Sequence, residues 1–357
     1  MRSSALVLPC HSLDETLAFF TERLGFRLDE IYPADAPRIA VVSRGGLVVR
    51  LEEGRRAGPG LRLSPTTPAP LPGATPDGLP LEFVAGGERP LPPPLPAERF
   101  ALHRGSAGDW GRGRAGMQYR DLIPGRIAGS YVASHIRIPQ GGPVPDYVHH
   151  HHVHFQVIYC YRGWVRVAYE DQGPPITMQA GDCVLQPPHI RHRVLECSDG
   201  LEVVEIASPA EHVTLVEHEL ALPTGRMLPE REFGGQRFVF HQSAKACWHD
   251  WRLPGFAARD TGIAVASRGT ASVVVARVAG PTREEFVAHA AGFVFDFLLA
   301  GSVTLDHGDE SVVLQRADAV VLPPRQPYRY RAASPDLEIL EVAMPAKIET
   351  SPATRAR

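Results

Sequence analysis

The 357-residue chain lacks the features that mark exported or membrane-spanning proteins. Its first residues, Met1 to Leu6, do not form the long apolar run of a signal peptide. No apolar run anywhere approaches the ~20 residues that a membrane-spanning helix needs. Cysteine is scarce: the chain has 5. They are dispersed and form no Cys-x-x-Cys pair. Such a set is typical of reduced thiols. We therefore expect a cytoplasmic protein that does not bind membranes.

The chain also lacks an excess of charge of either sign. Lys and Arg number 37 against 40 Asp and Glu, which gives a formal net charge of −3, and no basic patch stands out. This balance argues against a nucleic-acid partner and favours a small-molecule substrate. Hydrophobic residues make up 44% of the chain, enough for proper cores, and the length predicts two or three domains.

Residues 4–54 predict one small α+β unit of the pattern βαβββ. The sequence Ser12-Leu13-Asp14-Glu15 is typical of a capped helix start, and Gly25 is typical of a helix end. The predicted elements are a strand Ala5–Cys10, a helix Glu15–Leu24 and strands Phe26–Tyr32, Ile39–Ser43 and Leu47–Glu52. Residues 55–98 are rich in proline and predict a stiff linker, interrupted by one strand at Leu79–Ala85.

From about Ser130 to Pro345 the chain consists of short apolar segments separated by Gly and Pro turns, which predicts a β-sandwich or barrel. Residues 130–221 and 236–345 share a layout, and this indicates an internal repeat. Both have a turn at a glycine and, further on, an aspartate, an apolar strand and a Pro-Pro pair: Gly163, Asp182 and Pro187-Pro188 in the first, and Gly301, Asp318 and Pro323-Pro324 in the second.

A run of four histidines beginning at His149 is the most distinctive feature of the sequence. It lies just before residues 155–167, which predict two strands that turn at Gly163. Because side chains alternate between the faces of a strand, four side chains are expected to share one face: His150, His152, His154 and Gln156. His149 and His151 are then expected to point to solvent. Nitrogen and oxygen donors on one face, joined by a histidine from a neighbouring strand, predict a metal site.

With these residues placed, the first repeat resembles a cupin. The family's first motif is matched by His150-x-His152, three residues, Gln156, six residues and Gly163, with Gln in place of the family's Glu. Its second motif is matched by Gly181, five residues, Pro187-Pro188-His189, two residues and His192, with His189 in place of a Gly. The resemblance implies a double-stranded β-helix, or jelly roll. It also implies one divalent transition metal, with Fe(II) the leading candidate and Mn, Ni, Co or Zn open, held by His150, His152, His192 and Gln156.

The repeat implies a second cupin, so that the expected fold is mainly β, with two jelly-roll barrels. The expected domains are residues 99–221 for the metal-binding cupin and 222–357 for a degenerate cupin. In the second cupin the ligand positions fall on Ala288, Ala290, Val294 and Tyr328, and we expect it to be metal-free.

About residues 4–85 resemble a vicinal oxygen chelate, or glyoxalase-like, domain. With the proline-rich linker they form the expected first domain, residues 1–98, which precedes the barrels. The resemblance rests on Leu13-Asp14, Leu17-Ala18-Phe19-Phe20, Leu24-Gly25-Phe26 and Pro76 to Glu82. Ala5 stands about where the family has a metal-binding histidine, so that the resemblance implies the fold more than the chemistry. An exposed edge of its sheet would allow a homodimer.

Three residues near the predicted metal have open roles. Gln156 either coordinates the metal or orients a ligand or the substrate. His154 is expected to support a ligand or contact the substrate, and His189 is either an acid–base group or an ordinary turn residue. Three neutral histidines leave coordination positions open, which favours an Fe(II) dioxygenase acting on a small oxygenated organic molecule. A Lewis-acid isomerase or lyase and a non-catalytic small-molecule sensor are the alternatives.

Overall fold

A computed structural model describes residues 4–63, 73–84, 90–106, 110–113, 116–282 and 284–354. It is mainly β, with 47% strand and 7% helix, which confirms the predicted fold class at that level. No helix in the described ranges is long and apolar enough to cross a membrane. The chain divides into two compact units: residues 1–92, 147–152 and 211–221 form the first, and residues 93–146, 153–210 and 222–357 form the second.

The first unit begins with the predicted βαβββ order. The Ser12 hydroxyl caps the helix by accepting a hydrogen bond from the Glu15 amide at 3.3 Å. The helix ends in a π-helical turn, Phe19–Arg23. The elements are β1 (Ala5–Cys10), α1 (Leu13–Ala18), β2 (Arg27–Tyr32), β3 (Ile39–Arg44), β4 (Leu47–Glu53), β5 (Gly60–Leu63) and β6 (Leu81–Phe83). Part of the proline-rich segment, residues 64–72 and 85–89, lies outside the described residues, and so does the predicted strand end at Ala85.

Short strands dominate the remainder of the chain, as the turn pattern predicts. Those of residues 101–241 are β7 (Ala101–His103), β8 (Gly111–Arg112), β9 (Gln118–Asp121), β10 (Val132–Ile138), β11 (Gly142–Pro143), β12 (His149–His151), β13 (Phe155–Arg162), β14 (Trp164–Tyr169), β15 (Ile176–Gln179), β16 (Cys183–Leu185), β17 (His192–Cys197), β18 (Leu201–Ser208), β19 (Thr214–Val216), β20 (Glu232–Phe233), β21 (Gln236–Arg237) and β22 (Val239–His241), with the short helix α2 (Arg126–Gly129) before β10.

The strands that follow repeat this order. They are β23 (His249–Asp250), β24 (Phe256–Asp260), β25 (Ser272–Val278), β26 (Val287–His289), β27 (Phe293–Ala300), β28 (Ser302–His307), β29 (Glu310–Gln315), β30 (Ala319–Leu322), β31 (Tyr328–Arg331), β32 (Glu338–Met344) and β33 (Thr350–Pro352), with the short helix α3 (Ile263–Ala266) before β25 and a 3-10 turn (Ser243–Lys245) before β23. The strand pairs β13–β14 and β27–β28 turn at Gly163 and Gly301, whose φ angles of 77° and 70° favour glycine.

The sheet of the first unit has the strand order β12-β19-β2-β3-β4-β1-β5-β6. Strand β1 is parallel to β4 and antiparallel to β5. The helix α1 covers a small core that includes Leu13, Val42 and Leu51. Strands β12 and β19 come from the middle of the chain but pair in this sheet, β12 with β19 and β19 with β2. The predicted boundary at residue 98 therefore does not contain every strand of this sheet.

In the second unit, each repeat consists of a seven-stranded sheet and a smaller sheet that share an apolar interior. We call them the first repeat and the second repeat. The large sheets have the orders β22-β16-β13-β18-β10-β9-β8 and β23-β24-β25-β32-β27-β30-β7. The smaller sheets contain β15-β14-β17, with β11 beside β17, and β29-β28-β31-β26-β33. Besides the interiors of the two repeats there is an apolar cluster where the two large sheets pack on each other. It includes Phe155, Val157, Phe293 and Phe295.

The two repeats exchange one strand each. Strand β7 precedes the first repeat in the chain but pairs with β30 of the second. Strand β22 lies beyond the predicted boundary at residue 222 but pairs with β16 of the first repeat. These pairings cross the predicted domain boundaries because hydrophobic pattern identifies strands and turns, whereas the partner of an edge strand depends on tertiary packing.

Candidate metal centre

Three buried histidines form a possible metal site. The ring nitrogens that His149, His151 and His192 can offer to a metal lie within 4.8 Å of one another. The three side chains are 1%, 7% and 4% exposed, respectively, which is rare for histidines without a role. This is the one group of three or more His, Cys, Asp or Glu donors found in the described ranges.

The three imidazoles are oriented by hydrogen bonds at Nδ1. Nδ1 of His149 lies 2.8 Å from the carbonyl oxygen of Tyr147, and Nδ1 of His192 lies 3.0 Å from that of Ile190. Because a carbonyl only accepts, these two Nδ1 atoms carry the hydrogen and Nε2 keeps its lone pair. Nδ1 of His151 lies 3.1 Å from the hydroxyl oxygen of Thr214. His149 and His192 therefore have the arrangement of metal-ligating histidines, in which Nδ1 donates to the protein and Nε2 can face a metal, and a hydrogen donated by Nδ1 of His151 to the Thr214 hydroxyl would give His151 the same arrangement.

Local strand geometry explains which histidines are brought together. His149 and His151 are the first and last residues of β12, so that their side chains leave the strand on the same face. His192 is the first residue of β17 and follows a tight turn in which the Ile190 amide donates to the Pro187 carbonyl at 3.2 Å. His189 lies in this turn with a φ of 67°.

The sequence-based ligand set differs from this cluster by one residue along the histidine run. Of the predicted ligands, His192 belongs to the cluster, whereas His150 alternates with His149 and His151 on β12, and His152 follows the end of the strand. The motif allows three or four residues before Gln156, and His149-x-His151 followed by four residues fits it as well as His150-x-His152 followed by three. Motif spacing therefore could not decide between the registers, and the assignment of His149 and His151 to the solvent face was wrong because it followed from the other register.

Gln156 lies inside the first repeat. It shares a face of β13 with Ile158 and Cys160, which line the interior, and it is 3% exposed. Its amide donates to Oε1 of Glu205 at 2.6 Å. Glu205 shares a face of β18 with the interior residues Leu201 and Val203. Glu205 was not predicted as a site residue, although a glutamate that alternates with apolar residues on the inward face of a strand was a visible signal.

The structure places the other predicted residues outside the three-histidine cluster. His154 is half-buried between β12 and β13, where its amide donates to the Ser208 carbonyl at 2.6 Å and its carbonyl accepts from the Gln236 side chain at 2.6 Å. His189 is half-buried in its turn, and its role as an acid–base group or an ordinary turn residue stays open.

Two aromatic contacts of the cluster were also missed. Tyr169, which lies directly opposite His192 in the β14–β17 pair, stacks on the His192 ring at a centroid distance of 5.7 Å. Burial raises the pKa of the Tyr169 hydroxyl well above its usual range, and the phenol stays neutral. His212 packs edge-on against His151 at 5.2 Å. No motif marks either residue, because each contact depends on strand pairing.

The equivalent place in the second repeat contains a buried ion pair. His289 has the position of His151, because it lies as far before Gly301 as His151 lies before Gly163. Tyr328 has the position of His192, because it lies as far after Pro323 as His192 lies after Pro187. The Arg252 guanidinium donates to the Tyr328 hydroxyl at 2.6 Å and is paired with the Glu341 carboxylate. The place of His192 is thus taken by a phenol held in this ion pair, and the metal-free second cupin stays a prediction.

Comparisons with known proteins support the cupin assignment. Residues 134–206 match the family model described as a cupin domain, and residues 243–357 match the one described as an AraC-binding-like domain. The glyoxalase-like resemblance of residues 1–98 stays a prediction. No curated protein sequence matches this chain.

Two solved structures illustrate the likeness in fold. Salicylate 1,2-dioxygenase from Pseudaminobacter salicylatoxidans has a TM-score of 0.54 at 14% identity, over 72% of this chain and 90% of that one. A mutant of oxalate decarboxylase from Bacillus subtilis has a TM-score of 0.52 at 11% identity, over 72% of this chain and 80% of that one. At such low identities the likeness shows the fold, and the chemistry has to be argued from the residues.

Proposed function

We propose that this protein is a metal-dependent cupin dioxygenase that acts on a small oxygenated organic molecule. In this proposal His149, His151 and His192 hold one divalent transition metal, with Fe(II) the leading candidate. The observation that carries the proposal is the convergence of three buried imidazoles whose donor nitrogens lie within 4.8 Å of one another.

The residues present fit such a metal. Imidazole nitrogen is a donor that Fe, Mn, Co, Ni and Zn all accept, and three neutral ligands leave positions open for substrate and oxygen. Bound Fe(II) would supply redox chemistry with O2 and polarise a coordinated substrate oxygen. The Nδ1 partners Tyr147, Ile190 and Thr214 would keep the three rings in place in the absence of metal and so lower the cost of organising the site.

Other residues of the first repeat would shape the reaction. The apolar interior, which includes Val167, Met178 and Ile190, would exclude water from the reacting groups. The hydrogen bond from Gln156 to Glu205 fixes the amide and turns its carbonyl oxygen away from Glu205. That oxygen would serve as a neutral ligand or as an acceptor for a substrate hydroxyl. Tyr169 would limit rotation of the His192 ring.

The second candidate is a non-catalytic protein that binds a small molecule. It is favoured by the match of residues 243–357 to the AraC-binding-like domain. Its expected behaviour differs clearly from that of an oxygenase, because ligand would bind without consumption of oxygen.

Oxygen uptake separates the two candidates. The protein would be purified without a nickel column, loaded with Fe(II) under anaerobic conditions and mixed with diketones, catechols or flavonols in an oxygen electrode cell. We expect substrate-dependent uptake that is lost in His151→Ala and kept in His150→Ala. If the fully loaded protein binds these compounds and consumes no oxygen, the dioxygenase proposal is wrong and the binding function is favoured.

A further inference from the structure

A small cleft opens between the two repeats, away from the residues of the three-histidine cluster. Its volume is about 280 Å³, and its polar lining includes Tyr159, Tyr161, Ser243, Arg259, Arg316 and Glu338. The first two come from β13 of the first repeat and the last from β32 of the second. None of these residues belongs to the proposed metal site.

Arg259 is a buried cation without an ion-pair partner. The residue is 8% exposed, and no carboxylate in the described ranges lies within 4.0 Å of its guanidinium. Its two hydrogen bonds both start at Nη2, to the Tyr159 hydroxyl at 3.2 Å and the Gly181 carbonyl at 3.3 Å. Nε is buried and has no partner in the described chain. Burial of an unpaired charge raises the free energy of the folded protein, and a bound anion would offset this cost.

The carboxylates of Asp182 and Asp260 do not supply this anion. Asp182 uses its two carboxylate oxygens to accept from the backbone amides of Ser243 at 2.8 Å and Gln179 at 2.9 Å. Asp260 accepts from the Gly262 amide at 2.9 Å. Both carboxylates are therefore directed at turns of the chain, and the guanidinium carbon of Arg259 lies 5.6 Å from the centre of the Trp248 ring.

Arg316 brings a second guanidinium to the same cleft. Its Nε donates to the Tyr161 hydroxyl at 2.6 Å, and its guanidinium carbon lies 5.2 Å from the centre of the Tyr161 ring. Among the described residues it has no carboxylate partner either. The lining thus carries two cations and one carboxylate, Glu338.

The two tyrosine hydroxyls add donors for an anion. Each accepts a hydrogen bond from an arginine and so keeps its own hydrogen for a ligand. Burial raises the pKa of both Tyr159 and Tyr161, which keeps the phenols protonated.

We propose that this cleft binds a small organic carboxylate through Arg259 and Arg316. A guanidinium presents a planar fork that matches two oxygens of a carboxylate, and phosphate shares this chemistry. The volume lies near the lower end of the range for small-molecule sites and suits an acid with one ring or a short chain.

Calorimetric titration tests the proposal with benzoate, succinate, citrate and inorganic phosphate, each at constant ionic strength set by chloride. We expect saturable binding of at least one carboxylate that is tighter than the binding of phosphate. Arg316→Gln should weaken it by about 10- to 100-fold, because a charge-assisted hydrogen bond is lost. Glu338→Gln should tighten it, because a like charge is removed. Arg259→Gln removes a buried charge and could unfold the protein, so Arg259→Lys is used in its place. The lysine keeps the charge but loses the planar guanidinium, and binding should weaken.

Arg166→Gln is the matched control, since Arg166 is an exposed arginine on β14 outside the cleft, and its removal changes the net charge equally. The proposal is overturned if no carboxylate saturates up to roughly 10 mM, well above a millimolar Kd. Affinities in Arg316→Gln and Arg259→Lys equal to those of Arg166→Gln would also overturn it. Tighter binding of phosphate than of every carboxylate would contradict the ligand class.

Discussion

The hydroxyl oxygen of Thr214 lies 3.1 Å from Nδ1 of His151. The two residues are directly opposite each other in the β12–β19 pair, and the threonine is fully buried. The orientation of a proposed metal ligand is therefore set by the neighbouring strand, more than 60 residues away in sequence. A hydrogen donated by Nδ1 of His151 to this hydroxyl would present Nε2 to the metal.

Thr214→Val should weaken metal binding by roughly 10–100-fold, the usual effect of losing the partner that orients a ligating histidine. Valine has nearly the shape of threonine, so the fold should be kept. The measurement is competition for the metal against a chelator of known affinity. Thr214→Ser is the control, since it retains the hydroxyl and should bind metal nearly as well as the wild type. Equal affinities in all three proteins would show that this contact does not support the site.

Gln156→Ala should retain the metal but lower turnover by roughly 10–100-fold, because the interior amide that we propose to face the metal or the substrate is removed. Glu205→Gln is the control variant. The amide oxygen of the new glutamine can still accept the hydrogen bond from Gln156, so turnover should fall less than in Gln156→Ala. Turnover would be followed by oxygen uptake and metal content by elemental analysis. Wild-type turnover in Gln156→Ala would reduce this residue to a packing role.

Much of the architecture could be predicted from local pattern. The βαβββ order, the capped helix at Ser12 and the turns at Gly163 and Gly301 are all found, because caps and left-handed turns depend on a few neighbouring residues. Pairings between distant strands could not be predicted. The exchange of β7 and β22 between the repeats, and the pairing of β12 and β19 in the sheet of the first unit, leave no local signal.

The predicted ligand set and the histidine cluster share His192, but the cluster contains His149 and His151 where the sequence predicted His150 and His152. Four consecutive histidines fit the cupin motif in two registers, and a slip of one residue on a strand moves each side chain to the other face. The same shift of one residue moves the equivalent position in the second repeat from the predicted Ala288 and Ala290 to His289, which has the position of His151. Only the pairing of β12 with β19, which brings Thr214 opposite His151, fixes the register.

Arg252→Met should destabilise the protein by about 3–5 kcal/mol, because it leaves the Glu341 carboxylate buried without its cation. Burial works against the charged guanidinium, and Glu341 more than compensates, so that the pKa of Arg252 is raised. Denaturation in urea gives the free energy of unfolding. Adding Glu341→Gln to Arg252→Met should recover part of the loss. Single and double variants of equal stability would mean that the pair is not coupled as described.

Asp296→Asn should make stability less sensitive to pH. Burial and the nearby Glu341 raise the pKa of Asp296, whose Oδ2 accepts from the Tyr330 hydroxyl while Oδ1 has no partner in the described chain. A raised pKa means that the folded state holds a proton that the unfolded chain releases near pH 4, about the ordinary value for aspartate. Stability from this group is full below that pH and declines as the pH rises through the folded pKa. Urea denaturation at a series of pH values should show a steeper decline in the wild type than in the variant; parallel profiles would contradict the assignment.

The metal content of four single variants tests the central claim most directly. Wild type, His149→Ala, His151→Ala, His192→Ala and His150→Ala would be purified without a nickel column, loaded with Fe(II) and analysed for metal by mass spectrometry. We expect about one metal per chain in the wild type and in His150→Ala, and loss of most metal in the other three, because each removes one of three protein ligands. Full occupancy in His149→Ala or His151→Ala, together with loss in His150→Ala, would contradict the site that we describe.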